Sequence, residues 1–108
     1  MKGIISSDLI RGHTDTIVLR ILLDEDSYGY EIYKTIHEKS NQLYELKEAT
    51  LYSSFRRLEK EGYIQSYWGD ESQGGRRKYY KITDEGKELY KQNKQDWEFT
   101  QNIINKLI

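Results

Sequence analysis

Between residues 62 and 83 the apolar side chains leave the helical period, alternate as in a strand, and return to it, a switch that admits few architectures. Upstream of Gly62 apolar residues recur every three or four positions. Leu9, Ile10, Ile17, Leu19, Ile21, Leu22 and Leu23 make one broad stripe over residues 7–24. This predicts a first helix capped by Ser6 or Ser7, with Asp8 at the positive end of its dipole. A polar break at 24–27 precedes a second helix over 28–40, marked by Tyr28, Ile32, Tyr33 and Ile36 and ended by Asn41 and Gln42. A third, over 47–61, carries Ala49, Leu51, Tyr52, Phe55 and Leu58, and Gly62 supplies the left-handed residue that stops it.

Residues 63–68 and 78–82 are rich in aromatic and β-branched side chains and flank a Gly-rich polar loop at 69–75, which predicts a hairpin. Thr83, followed by Asp84 and Glu85, caps a last helix that runs to residue 108. The expected fold is therefore mainly α with a small β-hairpin (α+β). It is a winged helix-turn-helix whose third helix enters the major groove beside the hairpin, with an added C-terminal dimerisation helix. Residues 1–82 are expected to form the DNA-binding domain, and 83–108 the dimerisation helix of the same compact unit.

With 108 residues the chain makes one domain, and a chain of this size buries only about two thirds of its unfolded surface. Proline is absent, which favours uninterrupted helices. So is cysteine, which excludes disulfides, thiolate metal sites and thiol nucleophiles. No apolar run suits a signal peptide or a membrane span, and the expected location is the cytoplasm. His13 and His37 stand on separate helices without metal-ligand spacing, and neither a nucleophile elbow nor a phosphate loop occurs. No cofactor, metal or catalytic activity is expected.

The net charge of −1 argues against wholesale binding to nucleic acid, so a DNA site requires local segregation of charge. The third helix presents Thr50, Tyr52, Ser53, Arg56, Arg57 and Lys60 outside its apolar stripe. Short hydroxyls allow close approach to DNA, while the basic residues reach phosphates or guanine. Alone, such a helix equally fits an ordinary solvated face. The hairpin adds Arg76-Arg77-Lys78-Tyr79-Tyr80-Lys81, with four cations and no anion. Gln73 and Gly74 precede this run, and glycine lets the backbone approach a phosphate. A basic edge strand that merely discourages aggregation is the competing explanation. Helix and wing together favour duplex DNA, with a winged-helix protein-interaction module as the alternative. Trp68 is expected to pack beneath the wing.

Leu89, Tyr90, Trp97, Phe99, Ile103, Ile104 and Leu107 exceed what one small core can cover. Leu89, Tyr90, Trp97, Ile103, Ile104 and Leu107, with Leu9, are expected at a homodimer interface.

Residues 48–52 (Glu-Ala-Thr-Leu-Tyr), 57–62 (Arg-Leu-Glu-Lys-Glu-Gly), 75–86 and 28–32 (Tyr-Gly-Tyr-Glu-Ile) resemble the third helix, wing and second-helix opening of the PadR family of winged-helix regulators. The resemblance spans nearly the whole chain and implies a homodimeric repressor on a palindromic operator. Residues 66–75 are similar to a small multidrug-responsive subgroup, which implies a planar aromatic effector stacked between paired tryptophans at the dimer centre. Leu9, Gly12, Thr16, Lys94, Trp97 and Gln101 are the pocket residues that follow. Lys94 and Gln101 stand where a member of that subgroup has an aromatic and an acid, which shifts the expected preference from cations towards neutral or anionic molecules.

Overall fold

The computed structural model describes residues 5–69 and 76–108. Gln73, Gly74 and Gly75 lie outside the described residues. The expected first helix is two. A short α1, Ser7–Ile10, is followed by α2, Thr14–Asp24. Gly12 between them adopts φ +90°, a left-handed conformation that no helix can pass through. Ser6 Oγ accepts the Asp8 N–H at 3.3 Å, so the cap is Ser6. Helix α2 buries Thr14, Val18, Leu19 and Leu22 on one face.

Ser27–Tyr28 form a short strand, β1, and α3 begins only at Gly29–Lys39. This also departs from the expectation, because Tyr28 pairs with a distant strand and stands at the N-cap of α3, not within its first turn. Asn41 and Gln42 end α3 in the left-handed region, at φ 54° and 65°. The connection that follows contributes Tyr44 and Leu46 to the core.

Helix α4, Glu48–Lys60, buries Leu51, Ser54, Phe55 and Leu58. Tyr52, read from the sequence as lying outside that stripe, is exposed, as is Ala49, and Ser54 takes a buried place. The helix ends in a Schellman turn. Gly62, at φ +82°, donates to the Glu59 carbonyl at 3.1 Å, and Tyr63 donates to Leu58 at 2.9 Å.

Strands β2, Ile64–Trp68, and β3, Lys78–Ile82, form the hairpin, and β1 adds to it in the order β1-β3-β2, all antiparallel. Alternation turns Ile64, Tyr80 and Ile82 towards the helices. There Phe55 and Tyr80 stack at 4.4 Å and 28°. Burial, reinforced by Glu59, raises the Tyr80 phenol pKa above its ordinary value.

Helix α5, Asp84–Leu107, starts at Thr83, whose hydroxyl accepts the Gly86 N–H at 3.1 Å and donates to the Gly62 carbonyl at 2.8 Å. Its first two turns pack Leu89 and Tyr90 against the core, and α2 lies alongside. From residue 94 onward every side chain is exposed. The radius of gyration is 15.1 Å and the long axis 53 Å, against about 13 Å expected for a compact chain of this length. The projecting half of α5 accounts for the excess.

Candidate nucleic-acid interface

The fold carries α4 and the wing on adjoining edges of one core. Thr50, Arg56 and Lys60 are exposed on α4, Ser53 is half-buried, and Arg56 Nη2 donates to Ser53 Oγ at 3.1 Å. Tyr52 is 38% exposed. Its ring meets Phe55 edge-on at 5.3 Å, and its hydroxyl end lies against Gly29. Only part of Tyr52 therefore faces outward.

Arg57 is engaged within the chain. Its Nε and Nη2 donate to Asp15 Oδ2 and Oδ1 at 3.0 and 2.5 Å, and the buried Ser54 hydroxyl donates to the same carboxylate at 2.6 Å. Donating hydrogen bonds to Asp15 raises the Arg57 pKa further, so the clamp joins α2 to α4 as a charged pair. Sequence reasoning placed Arg57 beside Arg56 because both lie outside the apolar stripe. Their different roles come from Asp15, which no local pattern links to α4.

On the wing, Arg76, Arg77 and Lys78 are exposed. Arg76 lies over the Trp68 ring at 5.0 Å, Arg77 over Tyr28 at 4.8 Å and Lys78 over Tyr80 at 5.7 Å. Lys78 also reaches Glu59 at 3.9 Å, and Ser66 donates to the other oxygen of that carboxylate. Trp68 is 58% exposed, so it does not pack beneath the wing as expected. It ends β2, paired with Lys78 and beyond the core residues of the hairpin, with Arg76 over its ring.

Four of the six expected pocket residues come together. Leu9, Thr16, Lys94 and Trp97 line an apolar groove of about 480 Å³ with His13, Ile17, Ile21, Tyr44 and Tyr90. Arg20, Lys39 and Lys94 are its cations, and no carboxylate lines it among the described residues. Gly12 lies instead in a smaller groove on the other side of Trp97, with Asn93, Asp96 and Thr100. Gln101 lines neither. His13 was assigned no role from sequence, yet its ring meets Trp97 at 4.7 Å and 77°. Asn93 donates to Thr16 Oγ1 at 3.0 Å beside it.

Among the expected interface residues, Leu9, Trp97, Ile103, Ile104 and Leu107 are exposed, as are Phe99 and Ile108. Leu89 and Tyr90, also expected there, are half-buried against their own core, because the first turns of α5 pack beside α2. No three metal-ligating side chains cluster among the described residues, and none of the described helices is long and apolar enough to cross a membrane.

Helices α2, α3 and α4, a three-stranded sheet with a basic wing, and the projecting α5 define a winged-helix protein of the transcription-regulator class. The sequence matches the transcriptional regulator PadR-like family over residues 18–92. It is 56% identical to a transcriptional regulator from Clostridium thermocellum, with a TM-score of 0.90 over 97% of this chain and 99% of that one. A PadR family transcription regulator from Clostridium difficile R20291 is 41% identical, with a TM-score of 0.78 over 89% of this chain and 98% of that one. An uncharacterized protein X of Lysinibacillus sphaericus is 48% identical over 101 residues, 94% of this chain and 93% of that protein. The chain belongs to the PadR-like family of transcriptional regulators, and membership implies DNA as its partner.

Proposed function

We propose that the chain is a homodimeric repressor that occupies a palindromic operator and is released by a planar aromatic effector. The observation that carries this reading is the segregation of charge. In a chain of net charge −1, Arg56 and Lys60 on α4 and Arg76, Arg77 and Lys78 on the wing are all exposed on adjoining elements. Thr50, Tyr52 and Ser53 meet base edges in the major groove, and the basic residues meet phosphates. The Asp15 clamp makes Arg57 a scaffold residue that holds α4 in place.

Residues 1–82 serve as the DNA-binding unit and 83–108 as the dimerisation arm. Trp97, Phe99, Ile103, Ile104 and Leu107 are exposed, and past Trp97, which meets His13, the helix projects from the core with every side chain exposed. An isolated helix of this length is marginal in water, and a second copy of the arm with Leu9 covers that face. The groove beside Trp97 has the size of a small-molecule site. Its cations favour a neutral or anionic planar ligand, in keeping with the resemblance to the multidrug-responsive subgroup. A ligand there acts on DNA affinity by binding the two spacings of the wings unequally.

The test is a genome-wide footprint of the bound protein, followed by salt titrations on a recovered duplex and on its scrambled counterpart. The expected result is a shared inverted repeat bound at least about a thousandfold more tightly than the scrambled duplex. Equal affinity for both would overturn the repressor and favour a protein-interaction module.

A further inference from the structure

Two wing arginines stand in the same relationship to an aromatic ring, one on each face of the hairpin. Trp68 pairs directly with Lys78 across the β2–β3 ladder, and Tyr28 pairs directly with Tyr79 across β1–β3. Arg76 lies two residues before Lys78, and Arg77 two residues before Tyr79. Each arginine is therefore the diagonal neighbour of a ring, close enough for a long side chain to cross it. Arg76 sits 5.0 Å from the Trp68 centroid and Arg77 sits 4.8 Å from that of Tyr28.

The Tyr28 ring is itself held. Tyr79 packs against Tyr28 at 5.3 Å and 66° and stacks on Tyr67 at 5.6 Å and 14°. The Tyr67 hydroxyl then donates to Asp26 at 2.5 Å across the sheet. The Gly69 N–H donates to the Arg77 carbonyl at 2.7 Å, which extends the ladder one step past Trp68 and fixes the backbone at the arginines. A side chain at Gly69 would strike the Tyr79 ring, with Cδ1 at 2.7 Å. The core does not need an exposed tryptophan at position 68.

We infer that Tyr28 and Trp68 are positioning residues for DNA binding, whose rings hold Arg77 and Arg76 ready for phosphates. A free arginine loses rotamer freedom when it engages a phosphate, whereas a stacked one has already lost much of it. Stacking uses the face of the guanidinium and phosphate binding uses its N–H edge, so the two contacts are compatible. This inference rests on the duplex-binding reading above. It predicts that removing a ring weakens binding without changing how many phosphates are neutralised.

The experiment uses the full chain and a labelled mixed-sequence duplex, read by fluorescence anisotropy across ionic strength, since phosphate contacts carry no sequence information. Tyr28→Leu and Trp68→Leu are expected to weaken binding by about two- to fivefold at every salt concentration. The slope of log affinity on log salt stays at the wild-type value. Tyr28→Phe and Trp68→Phe, which keep a ring, bind as wild type. Arg76→Ala and Arg77→Ala instead flatten the slope by about 0.9 each. Leucine variants that bind like wild type, that flatten the slope, or that the phenylalanine variants fail to outperform overturn the inference. Trp68 is exposed, so its pair of variants decides the matter if Tyr28→Leu does not fold. A wild-type chain with no affinity at low salt overturns duplex binding and the inference together. Wild-type affinity with unchanged leucine variants overturns the inference alone.

Discussion

Asp15 holds Arg57 with both carboxylate oxygens, at 3.0 and 2.5 Å, and accepts the hydroxyl of Ser54 at 2.6 Å, so one acid on α2 fixes two residues of α4. The neighbours of Asp15 at the start of α2 face α5: Thr16 accepts from Asn93, and His13, at the N-cap, meets Trp97. The first turn of α2 thus ties the projecting helix to α4, and the consequences of cutting each tie can be ranked.

Asp15→Ala strands the Ser54 hydroxyl, which is fully buried, at a cost of about 1–3 kcal/mol. Arg57→Ala removes a half-exposed guanidinium and costs only about 0.5–1 kcal/mol. Urea denaturation should return that order. In duplex titrations, Arg56→Ala lowers the salt slope by about 0.9 and Arg57→Ala leaves it unchanged. A flattened slope for Arg57→Ala would return Arg57 to the DNA face.

Ile104 lies in the exposed apolar stretch of α5 and is 46% exposed. Ile104→Asp is expected to convert a micromolar dimer to monomer by sedimentation, with loss of helical signal from the unsupported turns. A dimer that persists unchanged would place the interface elsewhere.

Gly86 and Gly29 are both crowded, by different atoms. A Cβ at Gly86 meets the Tyr63 carbonyl oxygen and Ile82 Cγ1 at 2.8 Å, so backbone must move. Gly86→Ala should cost about 1–3 kcal/mol. At Gly29 the obstacle is the end of the Tyr52 side chain, with Cζ at 2.9 Å, and that partly exposed ring can turn aside. Gly29→Ala should cost clearly less in the same thermal melts. The reverse order would mean that Tyr52 is held as rigidly as backbone.

The hydrogen bond to Asp26 pushes the Tyr67 phenol up to about 12 from its ordinary 10.0. A raised folded-state pKa contributes stability that is complete below the unfolded value and is lost as pH climbs through the folded one. The stability gap between wild type and Tyr67→Phe should hold steady up to about pH 10 and close towards about pH 12. Difference absorbance of tyrosinate locates the titration, and Asp26→Ala should return it towards 10. An unmoved titration in Asp26→Ala would mean that another neighbour holds the proton.

Much of what depends on near neighbours was legible in the sequence. Leu51, Phe55 and Leu58 mark the buried face of α4, Gly62 closes its Schellman turn, Thr83 caps α5, and alternation turns Tyr80 and Ile82 inward. Each follows from a local backbone geometry that the residues within one turn or one hairpin impose. Gly12 was readable in the same way, and the helical stripe around it masked the break. What tertiary structure alone decided involves partners far apart in the chain. Tyr28 became strand because β3 lies beside it, Ser54 became buried because Asp15 receives it, and Arg57, still half-exposed, was turned to that same carboxylate. Leu89 and Tyr90 went to the core because α2 runs alongside, while Trp68 stayed in solvent with Arg76 over its ring. These partners are brought together by packing of the core, and a periodicity confined to one element carries no information about which distant side chain that packing will place against it.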